Sequence, residues 1–376
     1  MATKSIDMFR QLKIDAQQVE RQIEQIDLLQ SACTNCGLCL EGCVTYQATG
    51  WEHESPRGRI HLAKEFIHGR ITPDSSTLQS FDRCLGCHAC EKLCPQHVEY
   101  SKITQLVQEI RQKIYPQPLS INEKKGFAKV KQFNGFPGKK WMMNALSLIQ
   151  SFQIRNGSSK INSKQPVLAI NCHQDLNEHE LIQQTMNFMQ RLGVSMQVSR
   201  QQPCCGALFN RFEHVEAKQY QQKCVNQFTS WKTSETYFLS QRCQQWSGTP
   251  DFYDWIKHLV DMQQLTLKLS KPQVIYYQPY CAAKQDAAGI LLNQIEGLEV
   301  RLVNCASACC GGYQDEASIY PEQAKQWLSP QLQGIPKQST IVVTSDECAQ
   351  QWLMHAQELE IQVKYPIQIL EEAQFK

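Results

Sequence analysis

The spacing of apolar positions changes character near residue 165. Before it, apolar residues recur at helical spacing. Met8, Leu12, Val19, Ile23, Ile26 and Leu29 stand between Gln, Glu and Lys, which predicts an amphipathic helix over residues 1–32. Ser55-Pro56 opens a second helix, with Ser as N-cap and Pro at the first helical position. It runs to about residue 68, with Ile60, Ala63, Lys64 and Ile67 on one side. Thr72-Pro73-Asp74-Ser75 starts another capped segment leading to Phe81, and residues 98–115 form a further helix that ends before Pro116-Gln117-Pro118. After residue 165, short apolar runs alternate with amphipathic stretches. Strands are expected at 167–171, 194–199, 236–240, 274–277, 299–303 and 341–345, with helices at 178–192, 213–228, 287–295 and 323–328. Such alternation predicts α/β layers with largely parallel strands. The expected organisation is a mainly α-helical domain over 1–118, a connector over 119–163, and α/β units over 164–270 and 271–376.

The connector is basic at Lys124, Lys125, Lys129, Lys131, Lys139 and Lys140, interleaved with Phe127, Val130, Phe133, Phe136 and Trp141. Such a stretch suits an anionic membrane surface or a partner subunit. It equally suits a solvated linker helix whose aromatics pack on the neighbouring domain, and this second reading is preferred. Asn156-Gly157-Ser158-Ser159 then marks a joint.

Composition narrows the classes. The net charge of +2 is spread along the chain, so no nucleic-acid surface is expected. The N-terminal residues lack the apolar core and cleavage site of a secretion signal. The 18 cysteines are therefore read as reduced, metal-competent thiols of a cytoplasmic protein, not as a disulfide framework. No apolar run is long enough to cross a bilayer.

Two cysteine runs share one spacing. Cys33, Cys36, Cys39 and Cys43 form the first; Cys84, Cys87, Cys90 and Cys94 form the second, which ends in Pro95. C-x2-C-x2-C-x3-C is the run that ligates pairs of [4Fe-4S] clusters in bacterial-type ferredoxins, where the fourth cysteine of each run crosses to the other cluster. On that wiring Cys33, Cys36, Cys39 and Cys94 hold one cluster, and Cys84, Cys87, Cys90 and Cys43 the other. Structural zinc is the competitor, but its sites use separated cysteine pairs. Arg57 and Arg59 either face cluster charge or partner carboxylates, or are solvated first-turn residues; Arg83 and Lys92 flank the second run and are candidates to tune it. His88 is expected to be exposed and no ligand, and His53, His61, His97 and His173 to be surface or packing residues.

The second half is an internal repeat. Cys204-Cys205-Gly206 with Cys243 returns as Cys309-Cys310-Gly311 with Cys348, each cysteine shifted by 105 positions. Cys172 and Cys281 precede the two pairs. Every one of these cysteines follows a predicted strand or lies in the turn after it, where ligands bind in α/β sheets. A cysteine pair followed by Gly suits a tight metal-binding turn, a labile vicinal disulfide or simply buried thiols. Cys224 is read as a buried thiol, and Cys305 as an ambiguous extra ligand.

These residues resemble the iron–sulfur subunit family of bacterial glycolate oxidase (glycolate dehydrogenase). The resemblance rests on the first run with Thr45-Tyr46, on Ser55-Pro56-Arg57-Gly58-Arg59-Ile60, and on Arg83-Cys84-Leu85 through Cys94-Pro95 with Val98 and Tyr100. It continues in Cys204-Cys205-Gly206-Ala207, Cys309-Cys310-Gly311 and Ile369-Leu370-Glu371-Glu372-Ala373. It implies an α-helical two-[4Fe-4S] ferredoxin domain followed by an α/β tandem-repeat CCG domain, the repeats being similar to those of the cysteine-rich CCG subunit of heterodisulfide reductases. Cys172, Cys204, Cys205 and Cys243, with Cys281, Cys309, Cys310 and Cys348, are then the metal candidates of the repeats, and whether they hold a further iron–sulfur cluster is left open. The implied role is a non-catalytic redox subunit of a complex. It takes electrons from an FAD-containing dehydrogenase subunit acting on a 2-hydroxy acid such as glycolate or lactate, and passes them towards membrane quinone at the inner face of the plasma membrane. FAD is expected only in partner subunits, since no GxGxxG follows a strand here. A thiol–disulfide reductase of heterodisulfide type is the alternative, and a non-redox subunit with structural metal sites a third.

Overall fold

The computed structural model describes residues 16–115, 162, 164–170, 179–199, 215–231, 235–283, 285–303, 309–312, 321–354 and 356–376. The start of the first predicted helix and almost all of the connector lie outside them. Contacts group the chain into two compact units: Met1–Ser120 with Val303–Gly334, and Ile121–Leu302 with Ile335–Lys376.

The first unit is helical. Helix α1 (Ala16–Ser31) is followed by α2 (Val44–Thr49), α3 (Pro56–Ile67), α4 (Gln79–Asp82), α5 (Ala89–Lys92), α6 (Tyr100–Ile114) and α12 (Pro321–Leu328). Ser55 caps α3 as its sequence implies, its Oγ accepting the Gly58 N–H at 2.9 Å. The buried side of α3 is Ile60, Ala63, Phe66 and Ile67, while Lys64 points to solvent. Helices α1, α3 and α6 close one core through Val19, Ile26, Phe66, Ile103, Val107 and Ile110, joined by Leu78 and Phe81. Gln22 ties α1 to α6 by donating to Glu109 at 2.6 Å. In the segment after Thr72, Ser75 precedes a 3-10 turn at Ser76–Leu78 without a side-chain cap, and the turn leads into α4. Arg111 holds that turn from α6, donating to the Leu78 carbonyl at 3.2 Å and to Asp82 at 2.7 Å. Cys33, Cys39, Cys84 and Cys94 pack at the edge of this core, and Cys90 within it. Helix α12 packs against α2.

The second unit is α/β with parallel strands. In one sheet β1 (Val167–Ala169) lies between β2 (Gln197–Ser199) and β3 (Thr236–Tyr237). In the other, β4 (Leu267–Gln278) lies between β5 (Glu296–Leu302) and β6 (Thr340–Val343); β7 (Gln362–Lys364) pairs with β6, and β8 (Gln374–Phe375) runs antiparallel to β4. The order β2-β1-β3 is thus repeated as β5-β4-β6. Thr236 and Tyr237 pair with the central strand of their sheet, and Ile341 and Val342, 105 positions on, pair with the central strand of theirs. The fold therefore carries the repeat at the offset that the cysteines mark.

Helices α7 (His179–Arg191), α8 (Val215–Trp231) and α11 (Ala287–Asn293) fall where the periodicity places them. Helices α9 (Gln241–Ser247), α10 (Phe252–Met262), α13 (Asp346–Leu353), α14 (Ala356–Leu359) and α15 (Pro366–Glu372) were not expected. Strand β4 begins seven residues before its predicted start. Its first half is largely exposed and lacks an apolar run, and the register shifts between Lys268 and Gln273. Pro272 falls inside that shift, where it has no N–H to give the ladder. No helix among the described residues is long and apolar enough to cross a membrane.

Candidate iron–sulfur sites

The two cysteine runs wind the chain in the same way. Two residues after its first cysteine each run has a residue at positive φ, Asn35 at 56° and Gly86 at 63°; four residues after, Gly37 stands at 85° and His88 at 60°. Successive left-handed positions turn backbone N–H groups inward, a concavity suited to anions and to iron–sulfur clusters. Gly37 also makes room for Arg57, because a Cβ there would lie 2.8 Å from its Nη1. His88 is half-buried, contrary to expectation, and its Nδ1 lies 2.9 Å from Glu91, which steadies a conformation uncommon outside glycine.

Two cavities result. Cys33, Cys36, Cys39 and Cys94 line the first, together with Arg57 and Val98. Cys43, Cys84 and Cys87 line the second, together with Arg59 and Leu85; Cys90 and Tyr100 reach both. The last cysteine of each run therefore lies beside the first three of the other run. Polar groups surround the sulfurs. The Val98 N–H points at Cys94 Sγ from 3.5 Å, the Tyr100 hydroxyl lies 3.4 Å from Cys84 Sγ, and the Thr45 hydroxyl, which donates to the Glu54 carbonyl at 2.9 Å, lies 3.3 Å from Cys43 Sγ. Burial, followed by the neighbouring Cys33 and Cys43, pushes the Cys39 thiol up to about 11. Burial and then Cys87, Cys43 and Cys84 push Cys90 well above its ordinary value. Thiols crowded in this way resist becoming thiolates alone, and a cationic metal centre is what such a donor set fits.

Arg59 is not a solvated first-turn residue. It is 1% exposed, donates from Nε to the Ser80 carbonyl at 2.8 Å and from Nη2 to Glu54 at 2.7 Å, and holds Nη1 4.0 Å from Cys43 Sγ. Glu54 is equally buried and also accepts from Arg83 Nε at 2.6 Å. Arg57 pairs locally with Glu52 at 2.6 Å and is about one-third exposed. Lys92, His61 and His97 are exposed. Sequence reasoning missed Glu54, and it gave Thr45 and Tyr100 no role beyond the resemblance, because a single Glu, Thr or Tyr carries no spacing signal.

Two of the repeat cysteines stand in short helices after their strands and not in the expected loops. Cys243 and Cys348 are the third residues of α9 and α13, each behind an N-cap serine, Ser240 and Ser345. The Cys348 N–H donates to Ser345 Oγ at 3.4 Å. Cys281 lies in the turn after β4. All three are buried, as is Cys224. The helices meet in a matched way: Arg242 and Glu347, one position before the two cysteines and 105 residues apart, form a buried ion pair. Thr344 donates to Gln241 Oε1 at 2.7 Å, and Gln245 donates to the Ala282 carbonyl at 3.4 Å, so the three cysteine segments adjoin. Cys309 and Cys310 are buried in the first unit, and the Sγ atoms of Cys309 and Cys87 lie within 4.8 Å. Gly311 turns at φ 86°, and its N–H donates to Cys309 Sγ at 3.4 Å, the tight turn expected of that motif. Cys172, Cys204, Cys205, Cys305 and His173 lie outside the described residues.

A family model described as a 4Fe-4S dicluster domain matches residues 30–98. The chain is similar to the probable glycolate oxidase iron-sulfur subunit of Bacillus subtilis (strain 168), with 24% identity over 89% of this chain and 90% of that protein. It is also similar to the glycolate oxidase iron-sulfur subunit of Escherichia coli (strain K12), with 37% identity over 30% of this chain and 27% of that protein. No solved structure matches. The chain thus carries a 4Fe-4S dicluster domain in its helical first unit and is similar over most of its length to a glycolate oxidase iron–sulfur subunit.

Proposed function

We propose that this chain is the electron-transfer subunit of a flavin-dependent 2-hydroxy-acid dehydrogenase, with no substrate site of its own. The observation that carries the reading is the pair of adjoining cysteine-lined cavities inside one helical unit. Cys33, Cys36, Cys39 and Cys94 hold the first centre; Cys43, Cys84, Cys87 and Cys90 hold the second. Bound there, [4Fe-4S] clusters supply one-electron transfer. The chain's own residues fix the sulfurs, exclude water around Cys90 and Tyr100, and set the charge felt by each centre. An FAD-containing partner subunit delivers the electrons, and membrane quinone, reached from the cytoplasmic face, accepts them. The names of the two relatives support this role.

Anaerobic co-purification tests it. Eight irons and eight sulfides per chain, with flavin in an accompanying subunit, are expected for two four-iron centres. The isolated chain is expected to leave glycolate and lactate unoxidised, and appreciable oxidation by it alone would sink the reading. Cys94→Ser is expected to damage the first centre; an EPR defect confined to the second would refute the crossed wiring.

A second reading has one observation in its favour, the closeness of Cys309 to Cys87. On it, electrons leave the second centre for the repeat cysteines. Twelve or more irons per chain, or thiol–disulfide activity lost on replacing Cys309 and Cys310, would favour that reading.

A further inference from the structure

The two centres sit in unequal electrostatic surroundings. Beside the second lies a cation that water does not reach. The Arg59 guanidinium holds Nη1 4.0 Å from Cys43 Sγ, and both its Nη atoms lie 3.2 Å from Thr45 Oγ1. That hydroxyl donates to the Glu54 carbonyl at 2.9 Å and so anchors the guanidinium beside the same sulfur, 3.3 Å away. The carboxylate that balances Arg59, Glu54, is shared with Arg83, so two guanidinium groups face one acid. On the other side of the centre, the hydroxyl of buried Tyr100 lies 3.4 Å from Cys84 Sγ. The first centre has no equivalent among the described residues. Its nearest arginine, Arg57, is about one-third exposed and spends its Nε and Nη2 on Glu52 at 2.6 and 3.2 Å, where solvent screens the charge.

Adding one electron to a thiolate-ligated cluster adds one negative charge. A buried positive charge, held in place by Thr45, and the Tyr100 hydroxyl at a ligand sulfur stabilise that reduced form more than the oxidised one, and net charge with hydrogen bonds to sulfur are the terms that set such potentials. We infer that Arg59, with Thr45 and Tyr100, holds up the reduction potential of the second centre selectively, and so makes it the place where an electron rests within the subunit. The inference depends on the two-cluster reading above. Arg59 acts here as a tuning residue, not a ligand.

The test is an EPR-monitored redox titration of the full chain loaded anaerobically, with iron and sulfide counted first. Cys33→Ser and Cys84→Ser assign the two signals. Tyr100→Phe removes one hydroxyl and Thr45→Val exchanges another for a methyl of similar size, so both should keep the fold. Each is expected to shift the reduction equilibrium of the second centre several-fold against the electron, and to leave the first unmoved. Arg59→Met should shift it tenfold or more, about 59 mV for a one-electron couple, and Arg59→Lys should recover most of that shift. A purely structural role for these groups predicts loss of iron without a shift in potential. Eight irons with unshifted or equally shifted centres in the Tyr100 and Thr45 variants would overturn the inference alone. Fewer than eight irons in the unmodified chain would overturn the two-cluster reading and the inference with it.

Discussion

A thiol buried among thiols is costly to ionise, and iron removes that cost. Cys39 and Cys90 show it most clearly. Burial first, and then neighbouring cysteines, raise both above the ordinary thiol value, Cys39 from 9.0 to about 11. Folding without iron therefore favours the protonated thiol. The stability tied to that preference is fully present below pH 9.0 and is lost as pH rises towards about 11. A loaded centre has no thiol proton left to lose. Thermal melts of the cluster-free chain should thus fall more steeply across this range than those of the loaded chain under anaerobic conditions, and parallel profiles would contradict the assignment of these thiols. The two cysteine runs themselves were legible in the sequence, because four cysteines in a fixed rhythm have few other uses, and the structure gathers them around two cavities. Their surroundings were not. Arg59 read equally well as solvated or as facing cluster charge, and only the placement of Glu54 and Ser80 around its guanidinium shows why it can be buried.

At the level of elements, what could be read depended on whether a local rule decided the outcome. Helix α3 was legible because Ser55 and Pro56 fix its start and the apolar residues fix its buried side. The central strands β1 and β4 were legible in part, as apolar runs, but the edge half of β4 was not, since its residues are largely exposed. Helix α10 carries a cap that could have been recognised: Asp251 accepts the Tyr253 and Asp254 N–H groups at 2.8 and 2.9 Å. The short helices α9 and α13 span only seven and eight residues, too few to set a period. Their pairing is a tertiary event, although its clue lay in the 105-residue offset, which puts Arg242 and Glu347 at matched positions with opposite charges. Removing one member strands a buried charge. Arg242→Met should therefore cost roughly 3–5 kcal/mol of stability in chemical denaturation. The double variant R242M/E347L leaves no charge behind and should recover most of the loss, and the swap R242E/E347R should recover part of it. A double variant as unstable as the single would show that the pair does not couple the two helices.

For the molecule as a whole, the unexpected feature is where the helical unit draws its parts. The sequence suggests a self-contained first domain over residues 1–118, yet Val303–Gly334, from the second repeat, groups with it. Helix α12 packs on α2, the helix that follows Cys43 directly, and buries Ala324, Trp327 and Leu328. Cys309 comes within 4.8 Å of Cys87, which lines the same cavity as Cys43. The core of α1, α3 and α6 lies wholly within residues 16–115. A chain ending at residue 118 should consequently fold and take up iron at both centres, but hold the second less securely. Local opening there no longer has to displace α12, and the free energy of such openings governs access to the metal. With an iron chelator under anaerobic conditions, the EPR signal of the second centre should decay several-fold faster in the shortened chain than in the full one, while the signal of the first decays at the same rate in both. Equal decay of the second centre in both chains would mean that α12 covers α2 without guarding the metal. Loss of both centres together would mean that the segment supports the helical unit as a whole.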